Sequence, residues 1–485
     1  MELAAHRFKE QARTALDDRI LQDSFARIGG KFGDARAAAV AGLPEFDALR
    51  DEGLAIKNHV LEHLDVYLER FEAAVTARGG TVHWASTPAE AREAILAVAR
   101  AAGARTVTKG KSMVAEEIGL NPFLEQNGVT PIETDLGEYI IQLADEPPSH
   151  IIAPAVHKTK AQVSDLFHEH HARYGKTRKL TDGGDLVAEA REVLRQKYID
   201  ADMGITGANF LVAETGSTVI VTNEGNGDLT QSLPRVHLVL ASIEKVVPTL
   251  EDVATLLRIL ARSATGQEMS VYTTFSTGPK RDGDLDGPEE FHVVLLDNGR
   301  SRLLGGPASE VLRCIRCGAC MNHCPVYRAV GGHAYGWVYP GPIGAAIDPH
   351  FLGVKEAYHL PQASSFCGRC EEVCPMRIPL PKIMRHWREE AFRQSVTPAM
   401  QRHAVRAWAW LATRPRLYRI AARLAARGLA LAGGRRGRSA RLPFAGSWTA
   451  GRDMPAPEGR SFHDLWAARA SGTGNSGGSR ADGAG

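Results

Sequence analysis

The first seventy residues place apolar side chains three and four positions apart, as at Ile20, Leu21 and Phe25. This spacing is typical of amphipathic helices, because it puts the apolar side chains on one face. The composition of the stretch suggests packing and little chemistry. We therefore predict an N-terminal helical region over residues 1–70.

From residue 82 onward, short apolar runs typical of strands alternate with segments of helical periodicity, such as residues 91–102. We expect strands at residues 106–108, 130–132, 150–153, 210–212, 217–222, 236–241 and 292–296. Alternation of this kind favours helices packed on a mainly parallel sheet. The pattern predicts an α/β domain over residues 71–300.

Two further regions follow the α/β domain. Residues 301–390 are rich in loops and contain every cysteine of the chain, so we expect a separate domain there. Residues 391–470 are helical in pattern, and no acidic residue occurs between Glu390 and Asp453. Residues 471–485 are small and polar, which predicts a disordered tail.

Eleven arginines recur between residues 402 and 441 and give this segment a strong positive charge. An anionic lipid surface or an acidic partner would suit such a face. A solvated helical hairpin packed on the cysteine domain is the alternative. No motif that reads nucleic-acid grooves accompanies the arginines, so we expect no nucleic-acid partner.

With 485 residues, 44% of them hydrophobic and 24% charged, the chain is long enough for a substantial core. This composition excludes a disordered chain, a collagen and a small disulfide scaffold. The net charge of +2 argues against a protein that binds polyanions over its whole surface. No secretory signal is evident, and no apolar run approaches the roughly 20 residues that span a bilayer. We expect a cytoplasmic protein with reduced thiols and leave peripheral membrane contact open.

The seven cysteines form two runs with the spacing of iron-sulfur ligands. They are Cys314, Cys317, Cys320, Cys324, Cys367, Cys370 and Cys374. The first four form a C-x2-C-x2-C-x3-C-P run, whose fourth cysteine ligates the other cluster in two-cluster ferredoxins. By that crossover, cluster 1 takes Cys314, Cys317, Cys320 and Cys374, and cluster 2 takes Cys324, Cys367 and Cys370.

Two [4Fe-4S] clusters need eight ligands, whereas the chain offers seven cysteines. We expect [4Fe-4S] clusters. The second, with three cysteine ligands, is either a [3Fe-4S] cluster or a [4Fe-4S] cluster whose fourth iron has a non-cysteine ligand, a water or an exchangeable position. His323, His333 and His359 are candidates for that position, and nothing in the sequence selects among them. Zinc also uses C-x2-C pairs, but two C-P endings and a run of four cysteines fit zinc poorly.

Between the two runs, residues 331–344 alternate glycines with aromatic residues. One interpretation is a tightly folded loop that covers the clusters, with glycines that permit close backbone approach. The other is an aromatic, turn-rich linker. Neither interpretation assigns a catalytic role to Tyr335 or Tyr339.

Two glycine motifs in the α/β domain resemble nucleotide-binding loops without matching them. Gly110-Lys111-Ser112 lacks the first glycine of a P-loop, because Arg105 stands in its place. The turn at residues 223–228 lacks the third glycine of a dinucleotide fingerprint, and Pro234 interrupts a following helix. An anion bound by the amides of that turn remains an alternative.

Three residues are candidate substrate contacts because of where they lie relative to the expected strands and turns. His157 and Lys158 follow the expected strand at residues 150–153, and α/β folds place ligand contacts at the carboxyl ends of strands. Glu224, in the glycine-rich turn, is a third candidate. A structural role is the alternative for His157, since the chain has 18 histidines. The catalytic residues stay unidentified.

The chain resembles the lactate-utilisation iron-sulfur protein B family, in which a lactate-utilisation (LUD) domain precedes a two-cluster ferredoxin-like module. The resemblance covers most of the chain. The segments that carry it are residues 111–120, 133–142, 147–159, 213–217 and 223–227, both cysteine runs, and residues 331–344, 448–449, 452–457 and 461–462.

The resemblance implies a NagB/RpiA/CoA-transferase-like fold for the LUD domain, followed by a mainly helical ferredoxin-like domain and a helical C-terminal region. It also implies the division of cluster ligands given above. The implied role is an electron-transfer subunit of a complex that oxidises L-lactate to pyruvate. Its partners would be two other lactate-utilisation proteins, one rich in cysteine and one a lone LUD domain.

Two other functions remain open from the sequence. The chain would be a self-sufficient oxidoreductase if the LUD domain itself bound a small carboxylate or acyl substrate. It would be a sensor or regulatory module if the clusters served signalling, although no DNA-binding element accompanies them.

Overall fold

A computed structural model describes residues 3–442 and 446–472 of the chain. These residues belong to two compact units, with the boundary after Val396. The first unit contains the N-terminal helices, the α/β region and all seven cysteines, and the second contains the arginine-rich segment.

Four helices open the first unit, and they confirm the predicted helical region. Their bounds are α1 (Phe8–Asp17), α2 (Arg19–Ala41), α3 (Phe46–Glu62) and α4 (Leu64–Ala77). Helix α2 begins where the Asp18 carboxylate accepts the N–H of Leu21. Arg36 of α2 donates to the carbonyl of Val373, and Arg50 of α3 donates to that of Cys374. These helices therefore hold the second cysteine run in place.

Strands and helices alternate through the region that follows. They are β1 (Thr81–Ala85), α5 (Pro88–Ala101), β2 (Thr106–Lys109), α6 (Met113–Glu117), α7 (Leu120–Gln126), β3 (Thr130–Glu133), α8 (Leu136–Leu143), α9 (Lys160–His171), α10 (Gly183–Ile199), β4 (Met203–Thr206), β5 (Phe210–Val212), β6 (Ser217–Thr222), α11 (Asn226–Ser232), β7 (Val236–Ser242), β8 (Val246–Val247), α12 (Leu250–Ala264), β9 (Tyr272–Ser276) and β10 (Glu290–Leu296).

Six of these strands form an all-parallel sheet in the order β1-β10-β7-β4-β2-β3. Strand β7 is buried along its whole length, with Leu238 and Leu240 in one apolar core and Val239 and Ala241 in another. A strand covered on both faces reads as a continuous apolar run. A second sheet has the order β8-β5-β6-β9. The α/β class with a parallel sheet is confirmed.

The prediction of a strand at residues 150–153 is wrong, because this segment is a loop. Its apolar residues pack on the cysteine region, and Ile151 is buried in that core. The His150 side chain fixes the loop, since its Nδ1 accepts the N–H of Ile152 at 3.0 Å and its Nε2 bonds the Asn322 amide oxygen at 3.0 Å. The other expected strands are confirmed as β2, β3, β5, β6, β7 and β10.

The cysteine region consists of short helices joined by loops. The helices are α13 (Ala319–Asn322), α14 (Pro325–Val330), α15 (Gly341–Phe351), α16 (Val354–Ala357), α17 (His359–Gln362), α18 (Arg369–Glu372) and α19 (Leu380–Arg393). Most of the loop at residues 331–344 is buried, including Tyr335 and Tyr339.

The second unit is mainly helical, as predicted. Its elements are α20 (Ala399–Ala412), α21 (Pro415–Gly433), β11 (Arg438–Ser439), α22 (Gly446–Thr449), β12 (Met454–Pro455) and α23 (Phe462–Gly472). Within residues 3–442 and 446–472, no helix has both the length and the apolar character needed to cross a bilayer. The tail predicted over residues 471–485 lies outside the described residues from position 473 onward.

Candidate functional site

Four of the seven cysteines border one small cavity in the first unit. They are Cys314, Cys317, Cys320 and Cys374. Apolar side chains form the rest of the wall, including Ile151, Ile343 and Met376. The first cysteine run and the last cysteine of the second run thus meet, although about fifty residues separate them in sequence. These are the residues that the sequence assigned to cluster 1.

The turn between these cysteines aims backbone amides at the sulfur atoms. Arg316 and Gly318 both adopt left-handed conformations, with φ of 60° and 73°. The N–H of Arg316 donates to the Sγ of Cys314 at 3.4 Å. Hydrogen bonds to the charged form favour it, so these amides stabilise a thiolate. A left-handed residue other than glycine is rare and is typical of functional turns.

The remaining three cysteines border a second cavity. They are Cys324, Cys367 and Cys370, and Cys367 is exposed. The N–H of Tyr327 donates to the Sγ of Cys324 at 3.5 Å. Gly368 permits the tight turn between Cys367 and Cys370, with a φ of 80°. The structure therefore brings these three residues together, apart from the other four.

Only one of the three histidines considered as a further ligand lies at this second cavity. His323 is part of its wall, and its Nδ1 donates to the carbonyl of Ala319 at 2.9 Å. A proton fixed on Nδ1 leaves Nε2 as the nitrogen able to bind a metal. His333 instead bonds the carbonyl of Pro147, and His359 packs on the ring of Tyr358.

Both cysteine sets fit an iron-sulfur group by the chemistry of their donors. Burial, together with neighbouring cysteines, raises the pKa of Cys370 to about 12, and burial raises that of Cys374 to about 11. Clustered thiols of this kind resist ionisation on their own, whereas a cationic metal core lets several thiolates coexist.

Buried charges join the α/β region to the first cysteine run. The Arg300 guanidinium is fully buried between Glu117, at 2.7 Å, and Glu244, at 2.9 Å. Glu244 also lies 3.5 Å from Arg316, whose guanidinium stacks 4.4 Å from the centre of the Tyr339 ring. The arginines hold the pKa of Glu244 down at about 2 despite burial. This network fixes the position of Arg316 beside the cysteines.

A cavity of about 270 Å³ lies where the parallel sheet meets the first cysteine run. Its wall on the sheet side comes from residues 110–112, which follow β2, and residues 207–209, which follow β4. Its opposite wall includes Ile151, Arg316 and Cys317. In α/β folds, ligands bind at the carboxyl ends of parallel strands. This cavity is therefore the candidate substrate site.

The polar lining of the cavity contains both charge signs. Lys111 and Lys245 supply cationic groups, and Asp135 and Glu224 supply carboxyl groups. Burial and the neighbouring Asp135 raise the pKa of Glu224. The Glu224 carboxylate accepts the N–H of Leu136 at 3.4 Å. The glycine-rich turn thus contributes to the cavity through a side chain.

The structure brings Glu224 to the cavity, whereas His157 and Lys158 do not line it. The Nε2 of His157 lies 2.7 Å from one oxygen of Glu146, and the Lys158 ammonium pairs with the other oxygen. The His157 ring packs edge-on against His333, with centroids 4.5 Å apart. Burial lowers the pKa of His157 to about 4. This cluster is a charge-balanced contact between two loops.

Among the cavity residues that the sequence did not identify as substrate contacts are Lys111, Thr222 and Arg316. Lys111 follows β2 directly, so its place at the end of a strand was the available signal. The sequence directed attention to the P-loop pattern instead, and that pattern fails. Arg316 was hidden because it comes from the cysteine domain, more than ninety residues beyond Glu224.

Comparison with known proteins gives three family matches along the chain. The LUD domain matches residues 68–296, the 4Fe-4S dicluster domain matches residues 310–378, and the C-terminal domain of lactate utilisation protein B matches residues 381–471.

Curated relatives match over nearly the full length. The chain is 41% identical over 478 residues to Lactate utilization protein B of Lysinibacillus sphaericus, covering 96% of this chain and 97% of the relative. It is 44% identical over 451 residues to the protein of that name from Geobacillus thermodenitrificans, covering 90% and 91%. It is 41% identical over 462 residues to an Escherichia coli protein described as the uncharacterized electron transport protein YkgF, covering 94% and 95%.

Proposed function

The chain belongs to the lactate utilisation protein B family, and we propose that it is an iron-sulfur electron-transfer protein of lactate utilisation. The observation that carries this proposal is the pair of cysteine sets, each of which borders its own cavity. Clusters bound there would supply one-electron transfer, at potentials between about −700 and +450 mV. The chain's own residues supply thiolates, amide donors and an apolar wall.

Within that role, we assign the chain to a complex that oxidises L-lactate to pyruvate. The names of its curated relatives support a role in lactate utilisation, within which this complex is our proposal. Its partners would be two other lactate-utilisation proteins, one rich in cysteine and one a lone LUD domain. The substrate of this reaction is a small carboxylate, which would be a further ligand of the complex.

We propose two clusters with unequal cysteine ligation. Cluster 1 is a [4Fe-4S] cluster with four thiolates from the set that includes Cys317. Cluster 2 has three thiolates, from the set that includes Cys367, and is either [3Fe-4S] or a [4Fe-4S] with a further ligand. Among the three histidines named above, His323 is the candidate for that further ligand, since it lies at the second cavity.

Iron and sulfide analysis with EPR on anaerobically purified protein tests the cluster proposal. Cys314→Ser and Cys367→Ser should each lose the signal of a different cluster, with about half of the iron. Cys→Ser keeps the side-chain shape and removes the thiolate. Zinc without iron in the purified protein, or the loss of both signals in both variants, would contradict the proposal.

Activity measurements test the assignment to a complex. The isolated chain should show iron-sulfur absorption and little lactate oxidation, whereas a mixture of the three proteins should be active. Full activity of the isolated chain would overturn this division of roles.

The cavity beside Cys317 favours a second candidate function, a self-sufficient oxidoreductase. Its substrate would bind in this chain and its clusters would serve that site. Under this alternative the isolated chain oxidises its substrate, and Glu224→Gln abolishes turnover while the iron content is unchanged.

A further inference from the structure

We propose that the cavity at the carboxyl ends of β2 and β4 binds a small carboxylic acid, of the 2-hydroxy or 2-oxo class, beside Cys317. The inference rests on the proposed function, which supplies the class of substrate. It goes further because it assigns the binding place to this chain and names the residues that hold the acid.

The position of the cavity is the first argument. Its floor is the end of a parallel sheet, and its far wall carries Cys317, one of the four residues around the first cysteine cavity. A molecule held there lies against the wall that separates it from the first cluster site. Such a neighbourhood would allow electrons to pass between a bound molecule and a cluster held by the first cysteine set.

Size is the second argument. Sites for drug-sized ligands measure about 300 to 1,000 Å³. At about 270 Å³, this cavity is smaller than that range. An acid of a few carbons fits such a volume, whereas a dinucleotide does not.

Unused hydrogen-bond donors are the third argument. The side chain of Arg316 is 9% exposed, and its Nη1 is buried without a hydrogen-bond partner among the described residues. The buried hydroxyl of Thr222 likewise has no partner there. Within the same residues, the structure shows no hydrogen bond or ion pair of the Lys111 ammonium. All three residues line the cavity.

A buried donor without a partner is costly, and a charged one more so. A carboxylate bound between Lys111 and Arg316 would satisfy both cations. It would gain charge-assisted hydrogen bonds, which are about twice as strong as neutral ones. The charge of these residues therefore selects an anion.

Glu224 is the group that would distinguish a 2-hydroxy acid from a simple carboxylate. In its ionised form the Glu224 carboxylate is a pure acceptor and would accept the hydrogen of a substrate hydroxyl. Its place in the same cavity as Lys111 and Arg316 allows one small molecule to meet a cation at one end and an acceptor at the other.

Calorimetric titration of the iron-loaded protein with L-lactate and with pyruvate tests the inference. Wild type should bind both acids, and Lys111→Gln should raise both Kd values at least tenfold. Lys160→Gln is the matched control, because Lys160 is exposed and lies outside the cavity lining. Thr222→Val provides a second variant that removes an unpartnered donor without a change of charge, and it should weaken binding as well.

EPR gives an independent readout of proximity. Added pyruvate should alter the line shape of one cluster signal in wild type and in Lys160→Gln, and the effect should be absent in Lys111→Gln. Iron-loaded protein that binds neither acid overturns the inference, as do Lys111→Gln and Thr222→Val variants that bind both as tightly as wild type. Purified protein without iron and sulfide would instead overturn the proposed function.

Discussion

Two lysines, the buried Lys57 and the partly buried Lys245, lie close to Cys314 of the first cysteine set and place positive charge beside it. Lys57 donates to the carbonyl of Glu244, and burial lowers the pKa of Lys57 to about 8 while the charges of Glu244 and Cys314 oppose that shift. Burial likewise lowers the pKa of Lys245 to about 8, and the charges of Glu244 and Cys314 oppose that shift. An added electron makes the site more negative, so nearby cations favour the reduced form and raise the reduction potential.

We therefore expect Lys57→Met to lower the potential of one cluster and leave the other nearly unchanged. For a one-electron couple, a tenfold change in the equilibrium corresponds to about 59 mV. An EPR-monitored redox titration would measure the shift. Lys355→Met, at an exposed position on α16, should change neither potential. Equal shifts of both potentials would contradict the argument.

A buried histidine in the centre of the parallel sheet is one of the groups that link pH to stability. His237 on β7 is fully buried, and its Nε2 lies 2.8 Å from the hydroxyl of Thr206. Burial lowers its pKa from 6.5 to about 3. Below pH 6.5 this histidine takes up a proton in the unfolded chain but not in the folded chain. The free energy of unfolding therefore decreases as the pH falls below 6.5.

We expect His237→Gln to flatten the pH dependence of unfolding between pH 6.5 and pH 5. Each buried neutral histidine contributes a slope of about 1.4 kcal/mol per pH unit in this range. Denaturant unfolding at pH 8, 6 and 5 would measure the difference. At pH 8 the histidine is neutral in both states, so that point isolates the packing cost of the substitution. An unchanged slope would contradict the assignment.

At the scale of elements, the loop at residues 331–344 docks on the loop at residues 147–153, and the backbones approach most tightly at Gly332. A Cβ on Gly332 would lie 1.8 Å from the carbonyl oxygen of Ser149. The same carbonyl accepts the hydroxyl of Tyr327 at 2.7 Å. No side chain fits at position 332 unless one of the loops moves.

Gly332→Ala should destabilise the first unit by about 1 to 3 kcal/mol, the usual cost of overpacking. It should also lower the iron content, because the displaced loop packs against the cysteine region. Gly428→Ala is the matched control, since Gly428 lies in α21 with open space around its Cβ position. Thermal unfolding and iron analysis would check both variants. A Gly332→Ala protein as stable as wild type would show that the loops are free to separate.

The same two loops show where sequence patterns predict elements and where they fail. Continuous apolar runs predicted β7 and β10 because a strand covered on both faces is apolar throughout. Residues 150–153 have a similar run, but their apolar side chains are buried against the cysteine region. An apolar run in the sequence indicates that its side chains are buried, but it does not indicate which part of the protein buries them. A loop segment that packs on distant residues therefore has the same sequence pattern as a buried strand.

At the scale of the whole molecule, the candidate site divides into a part that was predictable and a part that was not. The cysteine spacing, combined with the ligand crossover of two-cluster ferredoxins, was enough to divide the cysteines into the two sets that border separate cavities. The cavity beside Cys317 required Lys111 and Arg316 to meet from two regions of the chain. No local pattern encodes that meeting, and the arginine has no motif of its own.

The overall net charge of +2 hides a strong separation of charge along the chain. Residues 397–485 contain fifteen arginines, no lysine and four acidic residues, a surplus of eleven positive charges. The preceding residues, with 43 basic and 52 acidic side chains, carry a net charge of −9.

The described part of the second unit exposes large apolar side chains beside its arginines. They include Trp408, Trp410, Leu417, Ile420, Leu424, Leu431 and Trp466. Arginine on the polar face with tryptophan and leucine on the other is typical of helices that lie on anionic membranes.

We therefore expect the holoprotein to co-sediment with vesicles that contain phosphatidylglycerol and to remain free of pure phosphatidylcholine vesicles. Each basic residue near an anionic surface contributes about 1 kcal/mol, so Arg416→Gln with Arg419→Gln should weaken binding roughly tenfold or more. Arg13→Gln with Arg19→Gln, at exposed positions on α1 and α2, removes the same charge from the first unit and should have little effect. Raised salt should release the wild-type protein, because exposed charges are screened within about 8 Å at physiological ionic strength. Equal weakening by both pairs would indicate attraction by net charge alone, and the helical face would then have no specific role.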